Sequence, residues 1–319
     1  MSNKDVHQLL RDPFIIDPSL CLSASRVLKR YERPAEEHPW ANLSVGQKVV
    51  FKIAFISICH SINWDYLQGK LAGLVIDDPD NFVSRISSIR SSDVSLLLSD
   101  YAKQERVKPS SRAAALRNVG QIFVENWRGD GTSLLDASGY MISGSSGFLS
   151  QLDKFKAFSA DPLRKKSHVL VHDFIREGIA EFKDANSTKP AIDYHIMRLY
   201  LRTGRVVPRF KELNPFLQGH PKPRYRLVQK LREAVSEAAE LTAFYAGISV
   251  PDLNYIEWQF GRGICIFDAP RCDGIDKRVM PDDISKLMTN SCPYSDFCSA
   301  KQNNGYEMYV EPKFDQGYY

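Results

Sequence analysis

Hydrophobic residues recur along this chain at three- and four-residue spacing, the repeat that lines one face of an α-helix. Val49, Ile53, Ile56 and Cys59 follow it, as do Leu116, Val119, Ile122 and Phe123. So do Val169, Leu170, Phe174 and Ile175, and later Leu227, Leu231, Val235 and Ala238. Runs that alternate apolar and polar, the mark of half-buried strands, are scarce. The pattern predicts an all-α protein. Three stretches interrupt it. Gly129 to Gly147 is rich in Gly and Ser and reads as a flexible loop or exposed turn. Lys183 to Pro190 is polar and ends in a proline that favours a new helix start nearby. Pro208 to Pro223 contains four prolines and reads as an extended connection or surface loop.

At 319 residues and 43% hydrophobic content the chain can bury a sizeable core, as one large or two modest domains. The net charge of +4 is too small for a protein that coats nucleic acid indiscriminately, so a nucleic-acid footprint has to be local. Residues 202 to 232 offer a candidate: nine Arg or Lys against one acidic residue, Glu212, with Phe210, Phe216 and Tyr225 interleaved. Such a stripe suits phosphate contacts and base stacking, or equally a solvated surface. The start, MSNKDVHQLLRDPFII, has no sustained apolar run of a secretory leader, and Val49 to Ile62 is interrupted by Lys52 and His60. A cytoplasmic protein without a membrane partner is expected.

Of six cysteines, four fall between 265 and 298: Cys265, six residues, Cys272, nineteen residues, Cys292, five residues, Cys298. In a reducing compartment such a group is more often metal-binding than disulfide-bonded. Four thiolates complete the ligation of an iron–sulfur cluster, and Arg262 and Arg271 nearby favour thiolate over thiol. A four-cysteine zinc site is the alternative, although zinc sites usually pair cysteines two to four residues apart.

The run from Asn254 to Cys265, with Gly261-Arg262 three residues before the cysteine, and then Ile-Phe-Asp-Ala-Pro-Arg-Cys272, resembles the cluster segment of the endonuclease III-like helix-hairpin-helix DNA glycosylases. That family separates its second and third cysteines by two residues, where this chain has nineteen. Upstream, Asp193-Tyr-His195-Ile-Met-Arg198 resembles the family's Asp-Thr-His-Ile-x-Arg block, with Tyr194 in place of Thr. By its residues alone Asp193 is an N-cap, with Gly204 as the stop of the same helix. The resemblance makes Asp193 the catalytic carboxylate, which stabilises the oxocarbenium-like transition state or activates water. His195 and Arg198 would lie on the substrate side.

The family's Leu-Pro-Gly-Val-Gly hairpin is absent. The stretch in its place, Phe158 to Val169, leaves Lys166 as the candidate Schiff-base nucleophile or as part of a solvated basic patch. Asn63, Trp64 and Asp65 match the turn after the first barrel helix, and they would line a base pocket or, for Trp64, simply fill a core. What the resemblance implies is a two-lobed helix-hairpin-helix glycosylase-like fold. Residues 46–189 would form a helical barrel domain with a degenerate hairpin, and 1–45 plus 190–319 the lobe of the catalytic helix and the iron–sulfur cluster. Asp193 would stand at the cleft, Cys265, Cys272, Cys292 and Cys298 would hold a [4Fe-4S] cluster, and the protein would act as a monomer on duplex DNA carrying a modified or damaged base. An N-glycosidase on a modified nucleotide or RNA base, and a non-catalytic cluster-containing binding module, are the alternatives.

Overall fold

A computed structural model describes residues 12–35, 37–218, 225–302, 305–306 and 309–312. The described chain is all-α apart from two three-residue strands. Strand β1 (Phe14–Ile16) leads into α1 (Pro18–Leu28), which starts where the Asp17 carboxylate accepts the amides of Ser19 and Leu20 and where Pro18 has no amide to satisfy. Next come α2 (Val45–Ile58), α3 (Trp64–Asp77), α4 (Phe82–Ser87), α5 (Ser91–Leu97), α6 (Pro109–Trp127), α7 (Gly131–Ala137), α8 (Phe148–Leu152), α9 (Lys156–Ser159) and α10 (Lys165–Arg176). The remainder is α11 (Tyr194–Thr203), β2 (Val206–Pro208), α12 (Asn214–Leu217), α13 (Tyr225–Ala246), α14 (Val250–Gly263) and α15 (Asp282–Ser285). Packing divides the chain into two compact units, Met1–Pro34 with Lys189–Gln316, and Ala35–Thr188 with Gly317–Tyr319.

The second unit is built around α2. Val49, Val50, Phe51, Ile53, Ala54, Phe55, Ile56 and Ile58 are all buried, so the helix is apolar on nearly every side, and it packs against α3, α6, α7 and α10. Its one buried cation, Lys52, pairs with Asp173 at 3.0 Å and with Glu177. The Lys52 ammonium lies 4.8 Å above the Trp40 ring, and the Trp40 indole donates to Glu177 at 2.9 Å. Burial, with Asp173 beside it, pushes the Glu177 carboxyl up.

The Gly- and Ser-rich stretch is not simply a loop. Asp130 caps α7 by accepting the amides of Thr132 and Ser133, and Leu134 and Leu135 are buried. Its Gly131 is there for close packing: a Cβ would stand 2.3 Å from the Gly46 carbonyl oxygen at the crossing with α2.

In the first unit β1 and β2 pair antiparallel, Phe14 opposite Pro208 and Ile16 opposite Val206. Helix α13 packs against α1 and α14, and α11 packs against α14 and α13. The basic stripe read from 202 to 232 is corrected here. Arg202, Arg205 and Arg232 are buried, so these three donate inward and offer no charge to a solvated face. Lys222 and Arg224 lie outside the described residues. No described helix is long and apolar enough to cross a membrane.

Candidate functional site

Helix α11 begins at Asp193, whose Oδ1 accepts the Ile196 amide at 2.9 Å, and ends at Gly204 in the left-handed conformation, φ 84°. Asp193 is 6% exposed. No other donor among the described residues reaches its carboxylate, so Oδ2 is left without a partner. The cap accounts for why an aspartate starts this helix: it satisfies an amide that the first turn leaves orphaned.

One turn further on, α11 is locked to the cysteine segment. Arg198 is 1% exposed, and its guanidinium donates to the Cys265 carbonyl, to the Gly261 carbonyl at 2.9 Å and to His195 Nδ1 at 2.9 Å, and pairs with Glu311 at 2.7 Å. His195 Nδ1 also lies 3.3 Å from the Gly261 carbonyl. The expectation that Arg198 contacts substrate is therefore corrected: a side chain this enclosed, with its donors on backbone carbonyls, holds α14 and the first cysteine against α11. Gly261 permits the approach, since a Cβ there would stand 2.7 Å from the His195 carbonyl oxygen. The Gly-Arg pair before Cys265 thus has a packing reason.

Arg202, which sequence reasoning placed in the basic stripe, completes the lock. It donates to the carbonyls of Ile266, of Phe267 (2.9 Å) and of Tyr309 (2.9 Å), and one nitrogen lies 3.8 Å from Cys265 Sγ. Nothing in the local sequence marks it except its place one turn after Arg198. Arg205 is also enclosed. It pairs with Glu257, which accepts from the Tyr294 hydroxyl at 2.8 Å, and its guanidinium stacks 3.6 Å from the Tyr200 ring centre. Tyr294 lies between Cys292 and Cys298, so this network positions the last two cysteines.

All six cysteines are free, and Cys265, Cys292 and Cys298 are buried while Cys272 is half-buried. Cys292 stays beside Cys272 despite the long insertion, its amide donating to the Cys272 carbonyl at 2.8 Å. Each of the other three raises Cys292 by charge repulsion, after burial as the main cause, and burial with Cys298 and Cys265 pushes Cys272 up to about 11. Cys265 is raised by burial against the opposing pull of Arg202. Metal binding would have to displace these protons. Among the described residues no group of three or more His, Cys, Asp or Glu is placed to hold a single metal ion. The donor set, four thiols and little else, is nonetheless the one an iron–sulfur cluster uses.

The remaining candidates lie in the other unit. Lys166, in the first turn of α10, is half-buried and donates to the Ser57 carbonyl at 3.3 Å. Burial, with Lys165 and Arg112 nearby, lowers its pKa from the usual lysine value. Its surroundings are cationic: Arg112 donates to the carbonyls of Ile58, His60 (2.6 Å) and Val107 (2.6 Å), and His60 is held neutral, pushed down to about 3 chiefly by burial.

Before α10 the chain turns tightly without glycine. Arg164 takes the left-handed conformation, φ 49°, and the Asp161 carboxylate accepts the amides of Leu163 (3.1 Å) and Lys165 (3.0 Å). Amides of the kind that grip phosphate in a glycine hairpin are here bonded internally. Asn63 caps α3 by accepting the Tyr66 amide at 2.9 Å, Trp64 packs edge-on against Phe55 at 4.5 Å, and Asp65 lies exposed in the first turn. No family model matches the sequence, and a search of curated proteins finds no match.

Proposed function

We propose that this chain is an N-glycosylase that excises a modified or damaged base from DNA, with Asp193 as the carboxylate facing the sugar. The observation that carries the reading is the bonding of Asp193: one oxygen caps α11, and the other has no donor among the described residues. This carboxylate can stabilise the positive charge that develops on a sugar as the N-glycosidic bond breaks, or take a proton from water.

Cys265, Cys272, Cys292 and Cys298 would hold a [4Fe-4S] cluster, which when bound supplies a rigid cross-link for the segment packed on α11. A lone zinc ion would need its sulfurs about 3.8 Å apart, from a Zn–S bond of about 2.3 Å. The four cysteines supply the four thiolates that such a cluster takes as ligands.

The test is release of free base from a panel of modified duplexes. Asp193→Asn is expected to lower the rate at least ~100-fold, within the usual range for loss of an acid–base group. Unchanged release by a folded variant would remove Asp193 from the chemistry. Lys166 is the candidate for a subsequent lyase step, because a desolvated amine is unprotonated at lower pH than an ordinary lysine. Borohydride trapping of a covalent complex, stronger as pH rises and lost in Lys166→Met, is the expected sign; strand cleavage without trapping would exclude it.

One observation favours a second reading, an N-glycosidase on a modified nucleotide or RNA base. The turn amides of Leu163 and Lys165 are already taken by Asp161 and offer nothing to a duplex phosphate. Affinity for a duplex that falls steeply with salt would support the DNA reading, and salt-insensitive binding of mononucleotides the second.

A further inference from the structure

The residues between Cys272 and Cys292 fold back on their own unit. The hydroxyls of Tyr31 and Tyr255 donate to the two oxygens of Asp283, at 3.0 and 3.3 Å, and Arg30 donates to the Leu287 carbonyl at 3.0 Å. The insertion closes at its neck, where the Cys292 amide donates to the Cys272 carbonyl at 2.8 Å and Asp273 bridges to Ser291. Beside this neck lies a cavity of about 770 Å³ whose wall includes Gly263, Arg271, Cys272, Asp273, Asp276 and Lys301. Cys272 is the one cysteine of the four on that wall, and the other three are buried. The charges around it largely cancel, Lys301 with Asp273 and Asp276 with Arg278 at 2.9 Å. Arg271 is exposed and pairs with no carboxylate among the described residues, so it is the one charged side chain of the wall without an opposite partner.

We propose that Cys272 is the open corner of the cysteine set, and that the cavity admits small anionic ligands to the iron this cysteine would hold while the other three corners stay closed. The proposal rests on the iron–sulfur reading of the four cysteines. On reaction with a chelator the Cys272 Sγ–Fe bond and the bonds from that iron to sulfide break, and Fe²⁺ leaves with the chelator. The thiolate takes a proton from water, and no electron is transferred.

The experiment uses the full chain purified anaerobically, treated with EDTA, an anion, or with neutral 2,2′-bipyridyl, and analysed for iron and sulfide. One iron is expected to leave before the rest, so that about three irons remain for four sulfides. Arg271→Glu is expected to slow the EDTA reaction about tenfold and leave the bipyridyl reaction unchanged, as for a charge that steers an anion. Cys272→Ser is expected to retain iron, and Cys292→Ser to lose it. Simultaneous loss of all the iron, or an Arg271→Glu protein that reacts with EDTA at the wild-type rate, would overturn the proposal and leave the cluster standing. Wild-type protein without iron or sulfide would overturn both.

Discussion

Arg198 and Arg202 stand four residues apart on α11, and both direct their donors to carbonyls of the segment that carries Cys265. A carbonyl at the end of a helix has lost its intrahelical partner, and a guanidinium with five donors in a fixed fork can satisfy several at once. Replacing Arg202 with Gln would orphan the carbonyls of Ile266, Phe267 and Tyr309, each unmade bond to a buried group costing about 1–3 kcal/mol. The urea midpoint should fall sharply with an unchanged slope. The exposed pair of Arg209 with Asp12 is the control, because a surface ion pair contributes only about 0–1 kcal/mol. If the two substitutions shift the midpoint equally, the lock on Cys265 has no energetic weight. Sequence alone identified Asp193 and Gly204 as caps, since capping is decided within one turn. The duty of Arg202 was not visible, because its acceptors lie more than sixty residues away.

Helix α11 meets α14 at Gly261, where backbone approaches backbone. Gly261→Ala should push the two helices apart at an overpacking cost of about 1–3 kcal/mol. Thermal unfolding would report the loss, and a stabilised variant, as expected if glycine mattered only for flexibility, would contradict it. In the other unit the stretch after α7 is held by Asp184, which accepts from the Ile142 amide (2.6 Å), the Ser143 amide (3.0 Å) and the Ser143 hydroxyl (2.6 Å). Partial burial would raise this carboxyl, but the hydrogen bonds outweigh it and hold it at about 2, below the ordinary value of 3.8. A depressed carboxylate contributes stability above its unfolded-state pKa and loses it as pH falls through the folded one. Wild type should therefore lose this contribution between about pH 4 and pH 2. Asp184→Ala should already be less stable at pH 7 and show a shallower acid dependence over that window. Equal acid profiles would exclude the role. Helical periodicity announced α2 and α13, but α7 was hidden, because glycines that permit close packing look in sequence like glycines that permit turns.

Each unit buries a cation in its interior, Arg205 against Glu257 in one and Lys52 against Asp173 and Glu177 in the other. Removing one partner of such a pair leaves an uncompensated charge, so Glu257→Ala should cost about 3–5 kcal/mol, whereas Arg205→Met with Glu257→Leu should be far milder. Calorimetry would distinguish them, and equal losses in both would mean the pair does not act as a unit. The all-α class and the identity of the four clustered cysteines were in the sequence by itself, because periodicity and residue type are local properties. Whether a basic residue faces water or a buried carbonyl was decided by tertiary structure alone. So were the closing of the nineteen-residue insertion by the Cys292 amide on the Cys272 carbonyl and the capture of the Leu163 and Lys165 amides by Asp161. In each case the partner is chosen by how distant segments pack, and no local pattern records it.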